Sequence, residues 1–283
     1  MDDFPLPCIT LRHGPWTCAV ADPRANPLAL GSRFIHGGYI AQCSYDGRAL
    51  TNRALDDWQP YFGQGLPEVF DEPFGHGAAK DGEAYMRIGA GQCLRNGPLR
   101  HSNADLLQAV DWELVEQTET FCRWRCHDEL LIGGERHAYQ LERSVALDNS
   151  GLSSASILQL HCPWSHPLVW FPHPYFAQVD GSGSVVHLPR DARLENNAQT
   201  QWRGAAVDGG FAVATGVWGQ SEALRVDLDP RLGGGSILLG HDRPMDKIVL
   251  WANARSFAAE PYWARAWADG EKDSWTMRYQ FQP

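Results

Sequence analysis

Apolar and polar residues alternate along most of this chain. In SWTMRYQF, residues 274–281, Trp275, Met277, Tyr279 and Phe281 share one face and Thr276, Arg278 and Gln280 the other. AYQLERSVAL (138–147) places Tyr139, Leu141, Val145 and Leu147 on one side. GEAYMRIGAG, SASILQLHC, SVVHL, GFAVATGVW, ALRVDLD, SILLGH and KIVLWAN extend the series, and AVDWELVEQTETFCRWRC (109–126) reads as one long or bent strand. Runs of period two bounded by Gly, Asn, Asp and Pro are half-buried strands. LDNSGL (147–152) and PRLGGGS (230–236) supply turns with Gly where positive φ is cheap.

Only LTNRALDDWQPYF (50–62) has helical spacing, with Thr51 as a cap and Pro60 cutting it short. No repeat, low-complexity linker or break in composition divides the chain, so residues 1–283 are expected to form a single domain. Strands this numerous must close or stack to hide their edges, which predicts an all-β fold built as one large antiparallel sandwich.

Composition agrees with that reading. Among 283 residues, 28 Gly, 18 Pro and 12 Trp accompany few helix-favouring charged runs, as short strands joined by tight turns require. A formal charge of −10 without a Lys/Arg cluster excludes the electrostatic footprint of a nucleic-acid binder. The start, MDDFPLPCIT, lacks the basic and apolar regions of a signal peptide, and no run approaches the length of a membrane span. The seven cysteines are odd in number and scattered, which predicts free thiols in a reducing compartment and hence a cytoplasmic protein. Cys122 and Cys126 would share one strand face as packed thiols; zinc would want a second close pair, which is absent.

Two segments carry candidate chemistry. In HPYF (173–176), Pro172 and Pro174 bracket His173, holding its backbone extended and presetting its side chain. A histidine fixed at a strand end suits proton transfer, although a hydrogen-bonded structural histidine has the same local sequence. In SFAAEPYWARAW (256–267), Glu260 ends an apolar run. Burial of a carboxylate without a partner is costly, so it either pairs with a cation or does acid–base work.

Together the segments resemble the aldose 1-epimerase (galactose mutarotase-like) family. NSGLSSASILQLHCPWSHPLVWFPHPYF resembles the strand and turn that lead into a His-Pro-Tyr-Phe loop there. MDKIVLWANARSFAAEPYW resembles the segment that supplies the family's glutamate, and DSWTMRYQF its closing strand. GSRFIHGGYIAQCSYDGRAL (31–50) and DGEAYMRIGAGQCLR (81–95) are similar to its opening strands.

The resemblance implies a β-supersandwich with a sugar cleft on its concave face, acting on a monosaccharide, as a monomer or homodimer, with no metal or organic cofactor. It implies Glu260 as general base and His173 as general acid, with His76 of FGHGAA and Asp208 of AVDGGF on the substrate side. Pro172 stands where an Asn-His pair is usual. Anomer exchange needs a proton taken from the C1 hydroxyl and one given to the ring oxygen, which a carboxylate and an imidazole on opposite sides of the pyranose would supply. Flat rings near the two segments, Trp170, Tyr175 and Trp263 among them, would stack on sugar C–H faces, with core packing as the plain alternative. Arg33 would bind a hydroxyl or carboxylate of the substrate, if it is not simply solvated. The scarcity of Lys and Arg near the site argues against a sugar phosphate.

Three other functions compete. A metal site would take His161, His166 and His173 with Glu260, but their spacing does not put all three histidines on one strand face. A carbohydrate sensor on the same scaffold would bind without turnover. An oligosaccharide lyase or hydrolase would need a further Tyr or carboxylate near the cleaved bond. No G-x-S-x-G or P-loop occurs, and GAGQC lacks the rest of a dinucleotide fingerprint.

Overall fold

The structure, a computed structural model, describes residues 4–98, 105–179, 183–189, 193–194, 201–203, 210–218 and 223–283. Among them there is no α-helix, only the two 3-10 turns Pro27–Leu30 and Pro230–Leu232. No helix there is long and apolar enough to cross a membrane. Two large antiparallel sheets dominate. The larger has nine strands among the described residues, with Lys272–Gln282, Gly151–His161, Glu135–Asp148 and Phe121–Ile132 side by side. The other has seven, and its centre runs Gly210–Trp218, Met245–Ala252, Ser256–Trp267, His166–Pro172 and Glu68–Phe70. Sheets of four and three strands cover the remainder.

The alternating residues of these strands meet between the two sheets. Trp275 packs against Trp263, Trp170 and Phe70, with ring centroids 5.1, 5.5 and 5.9 Å apart. Tyr139, Leu141, Val145 and Leu147 are buried in the same core. Interdigitated inner faces of this kind define a sandwich. Gly151 makes one of the tight turns: its φ is +128°, and a Cβ there would lie 2.3 Å from the Tyr279 carbonyl oxygen. The seven cysteines are free, and burial pushes the Cys122 thiol up to about 11. Cys122 and Cys126 flank Trp124 on one inward face as packed apolar groups.

Arg143 lies in phase with those core residues, and the core must satisfy it. Its guanidinium pairs with Glu68 of the opposite sheet, donates to Ser156, and reaches Ser154 Oγ at 2.8 Å. The Glu68 carboxylate also accepts from Ser154 at 2.6 Å and from Trp170 Nε1 at 3.0 Å. One buried ion pair thus joins the two sheets.

Two expected elements differ. Residues 50–62 form no helix: the Thr51 hydroxyl accepts the Cys43 N–H, and Thr51 and Arg53 make isolated bridges to Phe176 and Gln64. These long-range bonds replace the local ones a helix would need. Residues 109–126 are not one strand either. Trp112–Gln117 turns at 118–120 and pairs antiparallel with Phe121–Ile132, because Thr118 N–H donates to Phe121 O and closes a hairpin.

Candidate active site

The HPYF loop is held from both sides. His173 N–H donates to Pro67 O and Tyr175 N–H to Gly65 O, both at 2.8 Å. Phe176 then pairs with Phe257 in the strand that carries Glu260. Gly65 makes the close approach possible: at φ +75°, a Cβ would lie 2.1 Å from the Ile40 carbonyl oxygen. The two prolines restrict the backbone on either side of His173, which limits where its side chain can point.

Glu260 owes its direction to strand phase. In Ser256–Trp267, Phe257, Ala259, Trp263 and Trp267 face the core, so Glu260 and Tyr262 face the other way. The neighbouring strand repeats the pattern, with Ile248 and Leu250 inward and Val249 and Trp251 outward. Val249 pairs with Glu260, and Trp251 with Ala258. The outward positions line a cavity of 240 Å³, below the roughly 300–1,000 Å³ of pockets for drug-sized ligands and on the scale of one sugar ring.

In that cavity His173 Nε2 and Glu260 Oε1 lie 3.3 Å apart, both side chains almost wholly buried. Tyr262 Oη donates to the other carboxyl oxygen of Glu260 at 3.4 Å. His173 Nδ1 has no hydrogen-bond partner among the described residues. Burial pushes the Glu260 carboxyl up to about 8, against the opposing pull of Arg33 and the Tyr262 hydrogen bond. Burial, and then the charge of Arg33, hold His173 well below its ordinary value. Burial thus favours the uncharged form of each group, a protonated carboxyl beside a neutral imidazole. Burial raises Tyr175 and Tyr262, so both stay protonated as donors.

No family model matches the sequence, and no curated protein does so. Solved structures do. A galactose mutarotase-like protein from Lactobacillus casei superposes with a TM-score of 0.64 at 14% identity, covering 97% of this chain and 100% of its own. A GalM/aldose epimerase homologue from C. elegans gives 0.62 at 10%, covering 98% and 99%. A galactose mutarotase-like protein from Clostridium acetobutylicum gives 0.61 at 11%, covering 97% and 95%. The chain has the galactose mutarotase-like fold.

On this galactose mutarotase-like scaffold the expected residues separate into groups. His173, Glu260, Arg33 and Tyr175 line one cavity. His76 does not: its ring stands edge-on to Tyr85 at 4.9 Å and its carbonyl accepts from Arg95. Trp170 and Trp263 point into the intersheet core, because they occupy the opposite strand phase from Glu260 and Tyr262. Asp208 lies outside the described residues.

His161 sits half-exposed with Nδ1 3.7 Å from Asp269, and His166 packs edge-on to Phe74. Neither approaches His173 as a co-ligand: among the described residues no three His, Cys, Asp or Glu side chains form a metal-binding group. Trp251, Tyr61, Phe62 and Val249, unmarked in the sequence, complete the wall with Tyr262.

Proposed function

We propose that this protein interconverts the anomers of a monosaccharide, with His173 and Glu260 as its acid–base pair. The supporting observation is the 3.3 Å contact between their reactive atoms inside a ring-sized cavity. The C1 hydroxyl oxygen and the ring oxygen are bonded to the same carbon. Two adjacent groups can therefore address both from one edge of the sugar, whereas the sequence reading expected them on opposite sides.

One group removes the C1 hydroxyl proton while its neighbour protonates the ring oxygen. The C1–ring-oxygen bond breaks and the C1–hydroxyl bond becomes a carbonyl. Rotation about C1–C2 presents the other aldehyde face. The C5 hydroxyl then adds to it, and the two protons return by the reverse transfers. The pair begins and ends with one shared proton, so either residue can act as the acid. Each positioned group contributes about 10² to 10⁴-fold. The buried tyrosine hydroxyls and Trp251 give the pocket hydrogen bonds and a flat face.

The same reading takes residues 1–283 as one domain using no metal or organic cofactor, in the reducing cytoplasm that seven unpaired cysteines suit. Saturation-transfer NMR on a monosaccharide panel tests it, with His173→Ala and Glu260→Ala beside wild type. Exchange above buffer that is lost in both folded variants supports the proposal. Sugar binding with no exchange in wild type makes the protein a sensor instead.

A further inference from the structure

Arg33 is built into the cavity as a rigid cation. Its Nη1 donates to Tyr61 O at 2.6 Å, and the guanidinium lies over the rings of Phe34 and Tyr61, 5.0 and 5.2 Å from their centroids. A stacked, hydrogen-bonded guanidinium has already lost the freedom that binding would otherwise cost.

What it lacks is a counter-ion. Arg24, Arg123, Arg136, Arg243 and Arg265 each hold an Asp or Glu within ion-pair distance. Among the described residues no carboxylate comes within 4.0 Å of Arg33. Glu260 shares the cavity, but burial favours its neutral acid. A partly desolvated cation without a partner is costly to hold in a fold. A ligand that brings its own negative charge repays that cost.

The position of Arg33 says where on the sugar the charge would sit. Phe34 packs against both the Arg33 guanidinium and the nearly perpendicular ring of His173, 6.1 Å from centroid to centroid, and Arg33 and His173 line the same cavity. Arg33 and His173 are therefore near neighbours. If His173 serves the ring oxygen, the next ring atom is C5, and the substituent that C5 carries is C6. We propose that the substrate is a hexuronate, whose C6 carboxylate pairs with Arg33. This deepens the anomer-exchange reading of the same cavity and rests on it.

A carboxylate is planar and accepts two parallel N–H bonds from a guanidinium. A C6 phosphate would bring a second negative charge, and the cavity offers no second cation. Lys247 lies outside the cavity wall with its ammonium over the Tyr262 ring at 4.2 Å, and its pull on Glu260 is smaller than the opposing push of Asp71. Asp71 adds negative potential at Glu260 and Tyr262. One guanidinium suits one negative charge.

The test compares D-glucuronate and D-galacturonate with their C6 amides, with D-glucose and D-galactose, and with glucose 6-phosphate. Exchange is followed by saturation-transfer NMR and binding by calorimetry. A charge-assisted pair is expected to favour one hexuronate over its own amide by about tenfold to a hundredfold in kcat/KM. That ratio should shrink with added salt and collapse toward one in Arg33→Gln. If the variant does not fold, the salt series on wild type decides.

Equal use of uronate and amide, a ratio that survives Arg33→Gln, or preference for the phosphate overturns the inference. Arg33-dependent hexuronate binding without exchange refutes the epimerase reading and leaves the carboxylate assignment standing. Exchange of neutral hexoses with no uronate preference does the reverse. Binding of none of these sugars overturns both.

Discussion

The ring of His173 lies flat against that of Tyr175, centroids 4.5 Å apart and planes 20° from parallel. The two residues flank Pro174, so the loop presents both rings to one side. Tyr175 is itself anchored twice, through its N–H to Gly65 O and its hydroxyl to Phe62 O. It serves as a floor for the imidazole, leaving Nε2 directed at Glu260.

Replacing that floor should damage catalysis in steps. Tyr175→Phe keeps the ring and loses the bond to Phe62, costing about 1 kcal/mol of stability. Tyr175→Ala removes the whole buried ring and should cost about 3–5 kcal/mol. Anomer exchange should survive the first change within severalfold and fall at least tenfold in the second. Urea unfolding and saturation-transfer NMR on both variants measure the two effects. Equal exchange rates in Phe and Ala variants would deny the ring its positioning role.

The tryptophans should divide by strand phase. Trp251 lines the cavity, whereas Trp170 and Trp263 face Trp275 between the sheets. Trp251→Ala should raise KM about tenfold, in line with an aromatic contact in a desolvated pocket, with a modest loss of stability. Trp170→Ala should instead lower the unfolding free energy by about 3–5 kcal/mol, since it opens a core cavity. Trp170→Ala also frees a Glu68 oxygen of its Nε1 donor. The comparison needs only KM and a denaturation curve for each variant, and a KM effect confined to Trp170 would reverse the assignment.

These divisions show what the sequence could and could not reveal. Alternation was plain in Lys272–Gln282 and Glu135–Asp148, because each packs one face on the core and turns the other to solvent. In Met245–Ala252 the run Ile248 to Ala252 is apolar without a break. One face meets the core and the other the cavity wall, so the period disappears and Trp251 cannot be assigned. Arg143 sits at a core position of a well-marked strand, but its partner Glu68 belongs to a three-residue strand too short to show a period. The HPYF and AEP segments carried the cavity because prolines and strand phase act locally. His76, among the glycines of FGHGAA, had no such local constraint, and its contacts with Tyr85 and Arg95 fix its place.

The Glu68–Arg143 pair yields a second stability prediction. Both side chains are almost fully buried and come from opposite sheets. Removing either partner strands a charge in the core, so Glu68→Leu or Arg143→Met alone should cost about 3–5 kcal/mol. The double variant should recover most of that loss, because a buried pair repays little more than its own desolvation. A double-mutant cycle in urea gives the coupling directly. Additive losses in the double variant would mean that the two side chains are not a unit. Since Pro67 holds the His173 N–H, exchange activity in the double variant also reports whether the pair keeps the loop in register.

The buried carboxyl of Glu260 makes the stability of the fold depend on pH in a defined direction. Its ordinary value is 4.5, and burial raises it to about 8. As pH rises past 4.5 the unfolded chain releases this proton while the folded chain keeps it. The unfolded state is favoured progressively until the folded group ionises, so stability is lost between about pH 4.5 and 8 and changes no further above that. Glu260→Gln has no such proton to lose. Its melting temperature should therefore match wild type near pH 4.5 and exceed it by several degrees at pH 8. His173 works in the opposite sense: its folded form resists protonation, so its contribution is lost as pH falls through 6.5. Taking the difference between wild type and Glu260→Gln cancels the other titrations that are independent of this coupled pair. Thermal unfolding followed by circular dichroism at pH 5, 7 and 9 suffices. An advantage for the Gln variant that is constant with pH, or that grows toward acid, would mean that Glu260 is ionised in the folded cavity at neutral pH.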